Sequence, residues 1–303
     1  MKPLTIIKAP SNLGLIEPSP GVEPGVKFLP QTLLDNGIAT KLDVKVVYDV
    51  QPLSYSMQVD EESKVRNADN IVLFSSELAD QINSSIKNSF PITLGGDCSI
   101  LLGSCLGLRK SGNYGLFFLD GHTDYMLPEQ SGTAGVAGMD LAFATGNGHK
   151  KLSNIQGLSP YIKEENSFCV GNREYTDWYV NLVRHSHVSY YDLTSIRNIG
   201  IKTITDSFFE IVQKKKLDGF WIHLDVDVLN DDLMPCVDSR EKDGLSYEEL
   251  REFLIPLLSS ELATGIEITI LDPTLDREGN YVSEFCDQVV EIFKQANRIN
   301  ATT

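Results

Sequence analysis

Asp120, His122 and Asp124 stand at every second position of Leu119-Asp120-Gly121-His122-Thr123-Asp124, directly after the apolar run Leu116-Phe117-Phe118-Leu119. Such a run, bounded by turn formers, predicts a strand buried in a parallel sheet. The three side chains then leave one strand end, where a single backbone excursion can aim them at a common point. Carboxylates with an imidazole form a hard-to-borderline donor set that suits Mn, Fe, Co, Ni or Zn. Taken alone, the triplet equally fits two ordinary loop acids and a histidine capping a turn. Two further stretches shift the balance. In Phe220-Trp221-Ile222-His223-Leu224-Asp225-Val226-Asp227-Val228-Leu229, Asp225 and Asp227 sit inside an apolar strand, and carboxylates are rarely buried without a partner or a metal. Ile92-Thr93-Leu94-Gly95-Gly96-Asp97-Cys98-Ser99 reads as a strand, a glycine turn and a helix start. Three strand ends rich in donors imply two adjacent metals sharing carboxylates.

These residues need a frame that gathers strand ends. Apolar or alternating runs predict strands at Leu4–Lys8, Asp43–Val50, Pro91–Leu94, Gly115–Leu119, Ser167–Val170, Val188–Tyr191, Trp221–Asp225 and Gly265–Leu271, with helical spacing between most of them. Alternation of strands and helices means an α/β fold with a parallel sheet covered on both faces. A (β/α)8 barrel is the competing arrangement, and both put ligands at the carboxyl ends of strands. No repeat or linker interrupts the 303 residues, so residues 1–303 read as a single domain.

Composition narrows the partners. A formal net charge of −16 disfavours nucleic acid and anionic membranes, and such a field suits divalent cations and a cationic small-molecule substrate. Five cysteines without a CxxC pair (Cys98, Cys105, Cys169, Cys236, Cys286) read as buried thiols in a reducing compartment. The stretch from Met1 to Lys8 lacks the apolar core of a signal peptide, and no run reaches about 18 apolar residues. A cytoplasmic protein with no membrane span is expected.

Gly95-Gly96-Asp97-Cys98-Ser99, Asp120-Gly121-His122-Thr123-Asp124 and Asp225-Val226-Asp227 resemble, in order and spacing, the signature blocks of the arginase/agmatinase (ureohydrolase) family. The likeness runs from Ala9-Pro10 and Gly21-Val22-Glu23-Pro24-Gly25 to Asp272-Pro273-Thr274-Leu275, nearly the whole chain. The resemblance implies a three-layer αβα fold around an eight-stranded, mostly parallel sheet, and a homo-oligomer, trimer or hexamer. It implies two divalent ions, usually manganese, and hydrolysis of a linear C–N bond in a guanidino- or amidino-type compound. Position by position, Asp120 and Asp225 would bridge both ions, Cys98 and Asp124 would complete the first site, and His122 and Asp227 the second. A metal-bridging hydroxide would then attack the planar carbon, with Asp124 passing its proton to the leaving amine.

Three positions depart from the family pattern. Cys98 stands where most members have histidine, so Zn, Fe, Co or Ni become competitors of Mn. Ala137 occupies the position of the histidine that shuttles protons in arginases, and neither His149 nor His223 is assigned that role. Ile270 falls where the family clamps a guanidinium with glutamate, and an apolar side chain cannot make those paired charged hydrogen bonds. Asp272, on the same strand face, or Glu267 could substitute, and Asn172 or Arg173 could meet a substrate carboxylate. Otherwise the head group differs, as in an N-hydroxyguanidine (a modified arginine), formimino or amide compound. The losses at Cys98, Ala137 and Ile270 also fit a metal-poor homologue with a ligand-binding or scaffold role. Metal-dependent phosphoryl transfer is disfavoured, because no P-loop is present.

Overall fold

The computed structural model describes residues 2–299; residue 1 and residues 300–303, which the single-domain expectation also included, lie outside them. Eight strands form one sheet: β1 (Leu4–Ala9), β2 (Val47–Asp49), β3 (Phe90–Gly95), β4 (Gly115–Leu119), β5 (Ser167–Val170), β6 (Ser189–Tyr191), β7 (Phe220–Asp225) and β8 (Ala263–Thr269). Their order is β2-β1-β3-β8-β7-β4-β5-β6, and every pairing is parallel. The sheet is open, with β2 and β6 as its edges, so the barrel alternative does not apply. All eight predicted strands are present. The second shrinks to Val47–Asp49 because only that part pairs with β1, on an exposed edge.

Alternation along each strand sorts side chains onto two faces. Phe117, Ile222, Leu224, Ile266 and Ile268 face one core. That core is closed by α1 (Leu29–Asp35), α2 (Ile38–Lys41), and later by α8 (Leu193–Ile199), α9 (Ile201–Lys214), α10 (Tyr247–Ser259) and α11 (Asn280–Gln295). The opposite core contains Leu116, Phe118 and Trp221. It packs beneath α3 (Ala68–Asn88), α4 (Ile100–Arg109), α5 (Asp140–Ala144), α6 (Lys150–Ser153) and α7 (Asp177–His185). The result is three layers, helix on sheet on helix.

The central strands differ from an ordinary buried sheet on the α3–α7 face. There β7 and β8 turn His223, Asp225, Glu267 and Thr269 inward, all buried. His223 sits in register with Phe118 of β4 and Glu267 of β8. Polar groups in such a position must pair or bind something, and the seam leads up to the carboxyl ends of β3, β4 and β7.

Candidate metal centre and cleft

The loop after β3 brings Cys98 to the centre. Gly96 allows it: a Cβ there would lie 1.6 Å from the carbonyl oxygen of Ser11. Asp97 ties the same turn to the N-terminal loop. It accepts hydrogen bonds from the Ser11 hydroxyl (2.9 Å), the Gly14 amide (3.1 Å) and the Ser99 amide (2.8 Å). Cys98 is buried, and its thiol donates to Asp225 Oδ2 at 2.8 Å.

Asp120 leaves the end of β4 with Oδ1 accepting from the His122 amide at 2.6 Å, while Oδ2 has no hydrogen-bond partner. His122 turns Nδ1 to Asp227 Oδ2, 2.8 Å away. Asp227 Oδ1 accepts from the Gly121 amide, and the Arg173 guanidinium donates to the Asp227 carbonyl oxygen at 2.7 Å. Asp225 Oδ1 accepts from the Asp227 amide. Asp124 is reached through a left-handed backbone, φ 43°, uncommon outside glycine. The six predicted ligands therefore stand around one buried point. Donor atoms group within 4.8 Å of one another as Cys98, Asp120, His223 and Asp225; as Cys98, Asp124 and Asp140; and as Asp120, His122 and Asp227.

Crowded buried carboxylates resist ionisation. Burial, then the charge of Asp227, pushes Asp120 up to about 7. Burial and neighbouring acids drive Asp124, Asp140 and Asp225 well above the usual carboxylate range, and burial raises the Cys98 thiol too. His122 behaves differently. Burial alone would depress it, but the charge and hydrogen bond of Asp227, with Asp120, lift it to about 9. Burial would likewise raise Asp227, yet His122, Arg173 and the Gly121 amide hold it below the ordinary value. Without cations, this site keeps its charge down by retaining protons.

A cleft of about 310 Å³ opens above these groups, lined by Cys98, His122, Asp124, Asp225 and Asp227 below and by Glu174, Trp178, Asp238 and Glu241 among its other walls. Ala137 and Ile270 also line it. Ile270 is buried at φ 72°, an outlying backbone conformation for a β-branched residue.

The structure does not bring Asn172, Glu267 or Asp272 to this cleft. Asn172 is buried, and its amide donates to the Glu174 carbonyl oxygen and the Tyr190 hydroxyl. Asp272 accepts from the Gly25 amide and from the amide and hydroxyl of Thr274, fastening two loops together. Glu267 lies deeper in the sheet, bonded to His223 and Ser104. Each carboxylate or amide is already engaged, so none is free to clamp a head group. Arg173 instead supports Asp227, and its neighbour Glu174 reaches the cleft.

Two residues that the sequence reading did not assign as ligands join the centre, Asp140 and His223. His223 shares the strand parity of Asp225, a signal visible in the sequence but equally compatible with a satisfied core histidine. Asp140 is an acid at the start of an otherwise apolar helical stretch, Asp140–Ala144, and its burial could have been suspected from those neighbours.

A model described as "Arginase family" matches residues 4–293. The arginase of Staphylococcus aureus (strain MSSA476) is 30% identical over 304 residues, covering 96% of this chain and 97% of that protein. The solved arginase from Bacillus caldovelox superposes with a TM-score of 0.86 at 26% identity, covering 97% of this chain and 98% of that one. Formimidoylglutamase from Bacillus subtilis shares the fold, with a TM-score of 0.75 at 19% identity and coverage of 97% and 87%.

Proposed function

The chain belongs to the arginase family, and on that premise we propose that it is a dinuclear metal-dependent hydrolase of a linear C–N bond in a small amidine-type compound other than arginine. The observation that carries the reading is the convergence of Cys98, Asp120, His122, Asp124, Asp225 and Asp227 from three strand ends. The donor set fits cations. Asp120 Oδ2, Asp140 Oδ2 and His223 Nε2 are buried without a hydrogen-bond partner, each an omission worth about 1–3 kcal/mol that a bound ion would remove. Asp120 and Asp225 would be shared between two ions, with Cys98 and Asp124 at one and His122 and Asp227 at the other. When bound, divalent cations there supply Lewis acidity and a water acidified enough to act as nucleophile near neutral pH.

The chain's own groups do the rest. Asp124, itself one of these donors, lines the cleft, placed to take a proton from the attacking water and deliver it to the leaving nitrogen. Arg173 and Gly121 hold Asp227, and with it His122, in position. Ile270 and Ala137 present apolar surface where arginases present glutamate and histidine. That surface suits a head group less dependent on paired carboxylate contacts, an N-hydroxyguanidine or formimino group. Glu174, Asp238 and Glu241 on the walls favour a tail that carries positive charge. The same reading carries one functional unit over residues 1–303 and a homo-oligomer, trimer or hexamer.

The test is a screen for urea and ammonia release from guanidino, N-hydroxyguanidino and formimino compounds after loading with Mn, Co, Ni, Fe or Zn. Release from a modified guanidine or formimino compound exceeding that from arginine is expected. Arginine as the preferred substrate, or fewer than one equivalent of bound metal after every supplementation, defeats the proposal. The second outcome would point to a ligand-binding or scaffold role.

A further inference from the structure

His223 has no place in the ligand pattern that the family resemblance supplies, yet it is built as a ligand. Its imidazole is fully buried and stacked on Phe118, with ring centroids 4.4 Å apart and planes 6° from parallel. Nδ1 lies 2.7 Å from Oε1 of Glu267, its cross-strand neighbour, and Glu267 in turn accepts from the Ser104 hydroxyl of α4. A carboxylate offers acceptors only, so Nδ1 carries the hydrogen, and in the neutral imidazole Nε2 presents a lone pair. That lone pair has no hydrogen-bond partner. It stands 3.9 Å from Asp120 Oδ2, which has none either. Two buried polar atoms that face each other without a hydrogen bond are costly, and a cation held by both would remove that cost. The donor atoms of Cys98, Asp120, His223 and Asp225 lie within 4.8 Å of one another, a thiol, an imidazole and two carboxylates that suit a four-coordinate site.

We infer that His223 is a metal ligand in this protein. Cys98 removes the nitrogen donor that the family's histidine brings from the loop after β3, and β7 returns one from a layer deeper in the sheet. Glu267 fixes the tautomer and orientation of the ring, as carboxylates do behind metal-bound histidines. Thiolate and imidazole together make that position softer, moving its preference from Mn toward Zn, Fe or Co. This inference rests on the reading that the strand ends hold cations, and the experiment separates the two.

The full chain, grown with isotopically labelled histidine and loaded with Mn(II), is examined by pulsed electron paramagnetic resonance. Couplings from two inequivalent imidazole nitrogens are expected in the wild type, one from His122 and one from His223. The second coupling should persist in His122→Asn and vanish in His223→Asn. Glu267→Gln should weaken Co(II) affinity, measured by chelator competition, by about 10–100-fold. A single histidine nitrogen on a wild-type protein that binds two equivalents overturns the role of His223 and leaves the dinuclear reading standing. Failure of the wild type to bind Mn(II) or Co(II) overturns both. The count on the wild type needs no variant, so misfolding of His223→Asn does not spoil the test.

Discussion

At the scale of single residues, Cys98 and Ile270 separate this protein from the family pattern. Cys98 touches Asp225 and Thr269 and lines the cleft. Cys98→Ala is expected to lower bound metal by about one equivalent and activity by at least about 10-fold, in line with loss of a coordinating group. Unchanged metal content by elemental analysis would remove Cys98 from the ligand set. Ile270→Glu puts a carboxylate on the cleft wall. It should raise kcat/KM for a guanidinium compound relative to a formimino or hydroxyguanidino one, and an unchanged ratio would show that Ile270 does not choose the head group. The sequence made Asp120, His122, Asp124, Asp225 and Asp227 legible because charged side chains interrupt apolar runs at strand ends. It did not reveal His223 as a ligand, because strand parity says which way a side chain points and nothing about which of its nitrogens is satisfied. Asn172, Glu267 and Asp272, which the sequence offered as substrate contacts, lie elsewhere for a related reason. Each lies on a segment that borders the site, but local partners consume its polar atoms.

At the scale of elements, the turn after β3 carries the tightest constraint. Asp97, fully buried, joins that turn to the loop at 11–14, and Gly96 leaves room for the Ser11 carbonyl. Gly96→Ala should therefore destabilise the protein by about 3 kcal/mol or more, since neither backbone can yield without dragging Cys98. A shift in urea midpoint no larger than that of Ser246→Ala would contradict the account. Ser246 caps α10 in a reciprocal box with Glu249, bonded to none of the ligands, and its loss should cost about 1 kcal/mol while leaving metal content intact. Strand positions were legible from apolar runs. Helix starts were less so: α1 is entered through a 3-10 turn over Gly25–Phe28, and Pro30 suits the first turn of the helix that follows.

At the scale of the whole molecule, the acids of the site govern how stability depends on pH. In the metal-free protein Asp120 titrates near 7, and Asp124, Asp140 and Asp225 higher than normal, whereas the unfolded chain releases these protons near pH 4. The folded state then binds more protons than the unfolded one, so stability falls as pH rises through this window. His122, lifted to about 9, acts in the same direction: its stabilisation is complete below about pH 6.5 and is lost as pH rises through its folded value. Chelator-treated protein should melt at a lower temperature at about pH 8 than at about pH 5, and added Mn(II) should reverse the trend because its ligands must release protons to bind. Rising stability with pH in the chelated protein would show that the acids are not crowded as described. The layered α/β architecture was legible from the alternation of elements. The strand order was not, since apolar runs do not reveal which strands are neighbours.

That order has a consequence for how the enzyme is made. β3 and β4 emerge early but are separated in the sheet by β8 and β7, which are synthesised last. Until β7 and β8 have taken their places, Cys98 and Asp120 flank an open gap with no Asp225 between them. A nascent chain that stops short of β7 therefore carries Cys98, Asp120, His122 and Asp124 but lacks His223, Asp225 and Asp227, so the full set of proposed ligands comes together only when the last two strands fill the gap.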